Sequence, residues 1–147
     1  MCRERIRATP IWRKGEEVVP RYDCVVVETN AHEHGMRAMH VARVRIFFSF
    51  WYEGITYSCA LVEWFVRVGD EPDEDTGLWM VQLEVNASGE RVVSVIHTDT
   101  ILRGAHLLPV FGEQHIPTDF HYSLTLDSFH AFYVNKYIDH HAFEIIF

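Results

Sequence analysis

The sequence predicts a mainly β protein: a small, antiparallel, partly open barrel of five or six strands with a helix at the C-terminal end of the chain. The first observation is the stretch 41–68, which has the composition of two long strands joined at Glu53-Gly54. Gly in second place favours a hairpin, because Gly accepts the positive φ that such turns require. The second observation is strict alternation, since every even position of the first strand is apolar: Ala42, Val44, Ile46, Phe48, Phe50 and Tyr52. This pattern is typical of a strand that packs one face on a core.

Four shorter segments have the β-branched and aromatic composition of strands: residues 22–28, 78–85, 91–97 and 107–111. Pro109 cannot donate a ladder hydrogen bond, so the last of these is predicted at a sheet edge. In the second long strand the apolar positions change from odd to even numbers near residues 60–62. This change of phase means either that both faces of the strand are covered or that a β-bulge near residues 60–62 rotates it. We favour the bulge, because small barrels turn their corners with such bulges.

The two ends of the chain differ from this β-rich body. Residues 1–20 contain two prolines and a glycine and lack periodicity, so an irregular, basic lead-in is predicted before a single domain over residues 21–147. Within the tail, 126–147, Asp127 is a good helix N-cap and apolar residues recur at three- and four-residue steps. This predicts a helical tail, although residues 132–134, Phe-Tyr-Val, could equally form a closing strand.

Bulk composition narrows the class of protein. With 147 residues, 48% of them hydrophobic, the chain has enough apolar material for one folded domain. No run approaches the roughly 18 apolar residues of a membrane span, and the charged N-terminus does not resemble a signal peptide. The three cysteines have no ligand-like spacing, so neither a disulfide framework nor a zinc site is predicted. We therefore expect an intracellular protein, in the nucleus or cytoplasm, that does not bind membranes.

Charge is distributed unevenly. Residues 1–45 hold nine Lys/Arg and six Asp/Glu, whereas residues 46–147 hold four and fifteen. An acidic body disfavours wrapping of nucleic acid, so direct contact with phosphate is expected at most through the basic N-terminal segment: Arg3, Arg5, Arg7, Arg13, Lys14 and Arg21. The acidic stretch 69–77 lacks the ligand spacing of a calcium loop and predicts a solvated hairpin loop.

Four large aromatic residues are candidates for a binding site: Trp51, Tyr52, Trp64 and Trp79. Together on a small barrel they could form an aromatic cage for a methylated lysine. The alternative is that most of them lie in the core, as large aromatic residues on strands usually do.

Histidine is abundant, with ten residues, and the sharpest pattern is His97-Thr98-Asp99. A His-x-Asp motif followed by a distant histidine, here His140 or alternatively His130 or His141, is the pattern of a two-His-one-carboxylate iron site. A three-residue motif among ten histidines also arises by chance. A divalent metal is therefore the cofactor only of an alternative, enzymatic hypothesis, and the main interpretation has no cofactor.

Residues 36–147 resemble the C-terminal region of transposon-encoded proteins of mushroom-forming fungi, the Plavaka and Kyakuja–Dileera–Zisupton type. The resemblance lies in four ordered stretches: GMRAMHVARVRIFFSFWYEGITYSCALVEWF, GDEPDEDTGLWMV, VSVIHTDTILRGAHLLPVFG and FYVNKYIDHHAFEIIF. It implies a transposon-derived fungal protein or a fragment of one. Because the catalytic core of that family lies upstream of this region, it also implies an accessory β-domain without transposase activity. The predicted strand order is similar to SH3-like and bromo-adjacent-homology barrels as well, which is an analogy of fold alone.

These observations favour a non-catalytic interaction module that binds a protein partner or chromatin. One alternative is a metal-dependent enzyme centred on His97 and Asp99. Another is a self-associating structural domain, a homodimer that uses the apolar tail as its interface.

The enzymatic alternative makes a direct prediction about metal content. Untagged protein should hold one metal ion per chain, and EDTA should remove it together with several degrees of thermal stability, because a ligand bound only to the folded state stabilises that state. His97→Ala should abolish both effects. Elemental analysis and melting curves with and without EDTA measure them, and a metal-free protein whose melting ignores EDTA would exclude this alternative.

Overall fold

The computed structural model describes residues 4–110 and 125–147 and confirms the mainly β class, with 52% strand and 12% helix. The strands in these residues are β1 Ala8–Lys14, β2 Glu17–Tyr22, β3 Cys24–Glu28, β4 Met39–Tyr52, β5 Ile55–Arg67, β6 Met80–Leu83, β7 Val93–His97, β8 Ile101–Ala105, β9 Leu107–Pro109 and β10 Phe132–Val134. The α-helices are α1 Thr125–Ser128 and α2 His140–Ile145, and short 3₁₀ helices span Gly35–Ala38 and Thr98–Thr100.

The long hairpin β4–β5 is the centre of the sheet. Its pairing runs from Ala42 opposite Trp64 to Tyr52 opposite Ile55. The predicted turn is confirmed, since Glu53 and Gly54 both have positive φ, 48° and 81°. The strand order is β8-β3-β4-β5-β6-β10-β9, with β7 pairing a second stretch of β5. Pro109 lies on β9, at the end of this order, as predicted from its missing N–H.

Two short links close this sheet into a nearly complete barrel. The strands at its two ends, β8 and β9, are consecutive in the chain and separated only by His106. A second link, Thr98–Thr100, joins β7 to β8. Strand β7 pairs with β5, whereas β8 pairs with β3. The Thr98 hydroxyl fixes this link by donating to the Ser58 carbonyl at 3.2 Å. Because both links are so short, the sheet must curl until its distant strands meet.

Side chains on the two faces of β3, β4 and β5 build two separate cores. The larger core fills the barrel; its largest members are Met36, Phe65, Trp79, Phe132 and Ile146. The smaller core lies on the opposite face and consists of Val25, Val27, Ala42, Val44, Ala60 and Val62. Ile6, Ala8, Ile96 and Ile101 pack against it. Both faces of the central strands are therefore covered near the base of the hairpin.

A β-bulge separates the covered half of β4 from its exposed half. Val44 is opposite Val62 and Ile46 is opposite Leu61, so Arg45 is an extra residue in β4. The bulge predicted within β5 near residues 60–62 is therefore wrong, since residues 59–63 pair with β7 in regular register. The alternative is correct: both faces of β5 are covered there, one by the large core and one by the small core. Because an extra residue exchanges the two faces of a strand, the prediction that all even positions of β4 face the core is wrong beyond Val44.

The prediction of an irregular lead-in over residues 1–20 is also wrong. Strands β1 and β2 form a two-stranded hairpin whose turn contains Gly15 at a φ of +63°. Pro20 lies within β2, and Pro10 lies where the register of β1 is irregular. In a two-stranded sheet each strand keeps one free edge, so a proline there need not remove a ladder hydrogen bond. This is why prolines did not prevent strand formation.

The predicted helix over residues 126–147 is broken into three elements, and the closing-strand alternative for residues 132–134 is correct. Strand β10 lies between β6 and β9, with Phe132 and Val134 buried in the large core. Asp139, rather than Asp127, caps a helix; its carboxylate accepts the Ala142 N–H at 2.8 Å. Arg103 on β8 binds the same carboxylate in bidentate fashion, at 2.6 and 2.7 Å. These bonds fasten α2 to the barrel, and no helix in the described ranges is long and apolar enough to span a bilayer.

Gly35 provides a test of how tightly the last residues pack on the barrel. It has a φ of +60°, and a Cβ at this position would collide with the Phe147 carbonyl. Gly15 has the same backbone conformation, but a Cβ there would meet nothing within 4 Å. Gly15→Ala should therefore cost only the left-handed strain, about 1–2 kcal/mol. Gly35→Ala should cost clearly more, because the hydrogen bond from Met36 to Phe147, now 2.8 Å, must also yield.

Chemical denaturation of the two variants and the parent protein measures this difference. Equal losses of unfolding free energy would show that residue 147 does not contribute to the packing around Gly35.

Candidate interaction surface

The outer half of the β4–β5 hairpin extends past the points where pairing with β3 and with β7 ends. Pairing of β3 with β4 ends at Cys24 opposite Arg43, and pairing of β7 with β5 ends at His97 opposite Cys59. Residues 46–58 are thus paired only within their own hairpin. We call this segment the hairpin arm.

The hairpin arm exposes large apolar side chains on both faces. One face is an extension of the side that lines the barrel, and its exposed members are Ile46, Phe48, Phe50, Tyr52 and Ile55. On it Phe50 stacks on Tyr57 across the strands with ring centroids 5.1 Å apart. The other face carries Phe47 and Trp51, and Trp51 is 72% exposed. Apart from the tyrosines and the turn, the polar residues of the arm are Ser49, Thr56 and Ser58.

The exposed apolar surface of the arm is as large as the largest patches found on monomers, which are often functional. Burying one aromatic side chain removes about 150–250 Å² from water, so the half-exposed rings of the arm leave on the order of several hundred Å² in contact with solvent. Monomeric proteins rarely expose contiguous apolar patches larger than roughly this size, and such patches commonly mark interaction sites. The arm therefore has the properties of a contact surface.

An ion-pair cluster lies at the base of the arm. Buried Glu63 accepts from Arg91 at 2.7 Å and is 3.2 Å from Arg45, the bulge residue. Asp127 on α1 binds both Arg43, at 3.0 Å, and Arg91, at 3.2 Å. We call these five residues the base cluster. With three arginines and two carboxylates, it has one positive charge in excess.

The base cluster changes the acidity of its own members. Partial burial raises the pKa of Asp127, but hydrogen bonds and charges from Arg43 and Arg91 outweigh burial, and the net pKa lies below the ordinary value. Burial lowers the pKa of Arg91, but its bonds to Glu63 and Asp127 outweigh that effect and raise it. Asp127 and Arg91 are therefore both ionised at neutral pH, and α1 is held to the sheet by charge.

Beside the base cluster is a cavity of about 300 Å³ lined by both cationic and aromatic residues. Its charged lining residues are Lys14, Arg21 and Arg43. The Arg21 guanidinium lies over the Trp12 ring at 4.7 Å, and Arg45 lies over Tyr22 at 3.9 Å. Residues of the basic N-terminal segment are thus part of an ordered, positively charged surface next to the arm. Arg21 also pairs with Asp23 at 2.8 Å, so its charge is partly compensated.

The four aromatic residues predicted to form a cage do not come together. Trp79 is 1% exposed in the large core, where its ring lies between Arg37 and Arg67. Trp64 packs edge-on against His40 near the opposite end of β5 from the turn. Trp51 and Tyr52 are adjacent in the arm and therefore project from opposite faces. The cage prediction is wrong, because a strand rise of about 3.3 Å per residue places Trp51 and Trp64 more than about 20 Å apart.

The predicted metal residues are only partly brought together. His97 Nδ1 is 3.3 Å from the Asp99 carboxylate and accepts the Asp99 N–H at 3.1 Å. His140 instead lies 3.0 Å from Glu144, one turn along α2. Within the described residues no three potential ligands cluster in a way that could hold a metal ion. The His97–Asp99 pair is explained by its local role in the Thr98–Thr100 turn.

The two thiols in the described residues are buried and inaccessible to reagents. Cys24 and Cys59 are buried and unpaired, as expected for small apolar residues. Burial raises the pKa of the Cys24 thiol to about 12, so it stays protonated at neutral pH. The acidic stretch 69–77 connects β5 to β6, where Asp73 accepts from Thr76 in a local turn. Burial of the two cysteines and the local hydrogen bonds of the acidic stretch favour structural roles for both.

Comparisons of the chain with protein-family models, with curated proteins and with solved structures find no significant match.

Sequence reasoning missed the two features that define this surface. It assigned the apolar residues of the arm to the core because β4 alternates without interruption through the bulge. The change of phase in β5 was not a signal of this bulge, because it reflects the coverage of both faces of β5 by the two cores. It also missed the β1–β2 hairpin, whose signal was the alternation of Trp12 and Val19 with charged residues around Gly15.

Removing one carboxylate from the base cluster tests its contribution to stability. Glu63→Gln leaves Arg45 and Arg91 without their shared partner, and we expect a loss of about 1–3 kcal/mol of unfolding free energy, because a buried ion pair that loses one member leaves an uncompensated charge. Glu74→Gln is a matched control, since Glu74 is exposed and makes no ion pair in the described residues. It should change stability by less than about 0.5 kcal/mol. Urea titration measures both, and equal effects would contradict a structural role for the cluster.

Proposed function

We propose that this protein is a non-catalytic interaction module that binds another protein through the hairpin arm. The observation that carries this proposal is the exposure of aromatic and aliphatic side chains on both faces of a strand pair with free edges. Exposed edges are sites where another extended chain adds by main-chain hydrogen bonds, with pockets for alternate side chains giving specificity. Aromatic residues are also enriched at the energetic centres of protein interfaces.

The physical chemistry of the arm favours a protein over nucleic acid as its partner. The arm itself carries only Glu53 as a charged residue, so it offers no cation to a phosphate. The cavity beside it, lined by Lys14, Arg21 and Arg43 together with aromatic rings, would suit a polar side chain at the rim of a protein interface. A contact of the basic N-terminal segment with chromatin remains a prediction, as does the origin of the protein from a fungal transposon.

Site-specific photo-cross-linking tests the proposal. A benzophenone amino acid at Trp51 should form discrete cross-links to a protein in extracts of the source cells, because this side chain is 72% exposed at the end of the arm. The matched control is Phe143 on α2, which is 53% exposed and lies outside the arm. Unlabelled protein should compete for the cross-links, whereas unlabelled Phe50→Ser/Phe48→Ser protein should not.

Two results would contradict this function. Equal cross-linking from position 143 would show that exposure alone produces the products. Undiminished competition by the double serine variant, whose melting temperature should match that of the parent, would show that the arm is not the contact surface.

A further inference from the structure

We infer that the partner of the hairpin arm is a second copy of this chain, with β4 of each copy pairing antiparallel about a two-fold axis at Ser49. This inference rests on the proposed function and specifies its partner. Such an interface is isologous, since each copy contributes the same strand. The two hairpins would join into a continuous four-stranded sheet.

A free edge on β4 makes the pairing feasible. On one side β4 bonds to β5 along residues 46–52. On its other side, pairing with β3 stops at Cys24–Arg43, and one further bond joins the Val44 N–H to the Asp23 carbonyl at 3.0 Å. Beyond Arg45, which lies over Tyr22, no strand in the described part of the chain pairs with residues 46–52. Unprotected edges with apolar side chains readily pair with another chain. No proline or lysine blocks this one.

The residues of this edge are complementary to themselves. In an antiparallel pair centred on Ser49, Phe48 faces Phe50 of the other copy, and Phe47 faces Trp51. Ile46 faces Tyr52. Each of these pairs is apolar, and the two serines meet at the axis. Aromatic and β-branched cross-strand pairs stabilise a sheet by roughly 0.2–1 kcal/mol each, and here every pair occurs twice.

The charges at the ends of the arm fit the same register. Arg45 and Glu53 are each four residues from Ser49, so the pairing brings Arg45 of one copy beside Glu53 of the other. Arg45 belongs to the base cluster, which has one positive charge in excess. Glu53 is exposed at the turn and makes no ion pair in the described residues. A shift of the two-fold axis to Phe48 or Phe50 would separate Arg45 from Glu53 and place Ser49 opposite an aromatic residue.

Cysteine cross-linking tests the register directly. In the full chain with Cys2→Ser, Ser49→Cys should form a disulfide-linked dimer on mild oxidation, because directly opposed residues have Cβ atoms about 4.5–5.5 Å apart. Ser58→Cys is the matched control. Ser58 is exposed and lies opposite Ser49 on β5, so the two copies of it would be three strand spacings apart, about 14 Å, and should not cross-link.

Sedimentation of the unmodified protein provides the second measurement. The mass should rise from one chain to two with increasing concentration between about 1 µM and 1 mM. Glu53→Lys should weaken dimerisation by about 2- to 30-fold, since it replaces two favourable cross-strand pairs by unfavourable ones. High salt should reduce the difference between the two proteins.

Three results would overturn the inference. A single-chain mass at all concentrations would exclude self-pairing, and cross-links from position 51 to a different protein would then leave the proposed function intact. Disulfide formation at position 58 but not at position 49 would show that the two copies meet through β5 and not through β4. Polydisperse assemblies that form no disulfide at position 49 would show unspecific association of apolar edges.

Discussion

One inserted residue, Arg45, determines which side chains the central hairpin presents to solvent. Before it, the even positions Ala42 and Val44 are buried in the small core. After it, the even positions lie on the other face, beyond the reach of the barrel. Because β-strands alternate strictly, a single extra residue is enough to move a whole row of side chains. The exposed arm is therefore built into the strand and does not result from a lack of core.

The bulge also supplies the cation that anchors it. The Arg45 guanidinium lies over the Tyr22 ring and contacts Glu63, which in turn binds Arg91. Through Asp127 the same network reaches α1. This partly buried set of charges thus joins three parts of the fold: the central strands β4 and β5, the β1–β2 hairpin and α1. Such a set stabilises a structure only when every member keeps its partner.

Local sequence pattern was sufficient to predict much of the sheet, but it was insufficient to predict which of its side chains are exposed. The β4–β5 hairpin and its turn were predicted because alternation and Glu53-Gly54 are local signals. The edge position of Pro109 followed from its missing N–H. In contrast, the exposure of Trp51 depends on where β3 and β7 end, and the burial of Trp79 depends on the distant strand β10. Both are properties of long-range pairing. The capping role of Asp139 was missed because Asp127 has the same residue type and is followed by more apolar residues.

The closure of the barrel through His106 has an entropic consequence. Pairing Cys24 with Ala105 joins residues that are far apart in the sequence, and so does pairing Val81 with Phe132. The arm, in contrast, closes over two residues. Since the entropy lost on closing a loop grows with its length, the arm is the part of the sheet whose formation costs least and depends least on the remainder of the chain. The surface with the largest apolar exposure is thus also the most autonomous piece of the fold.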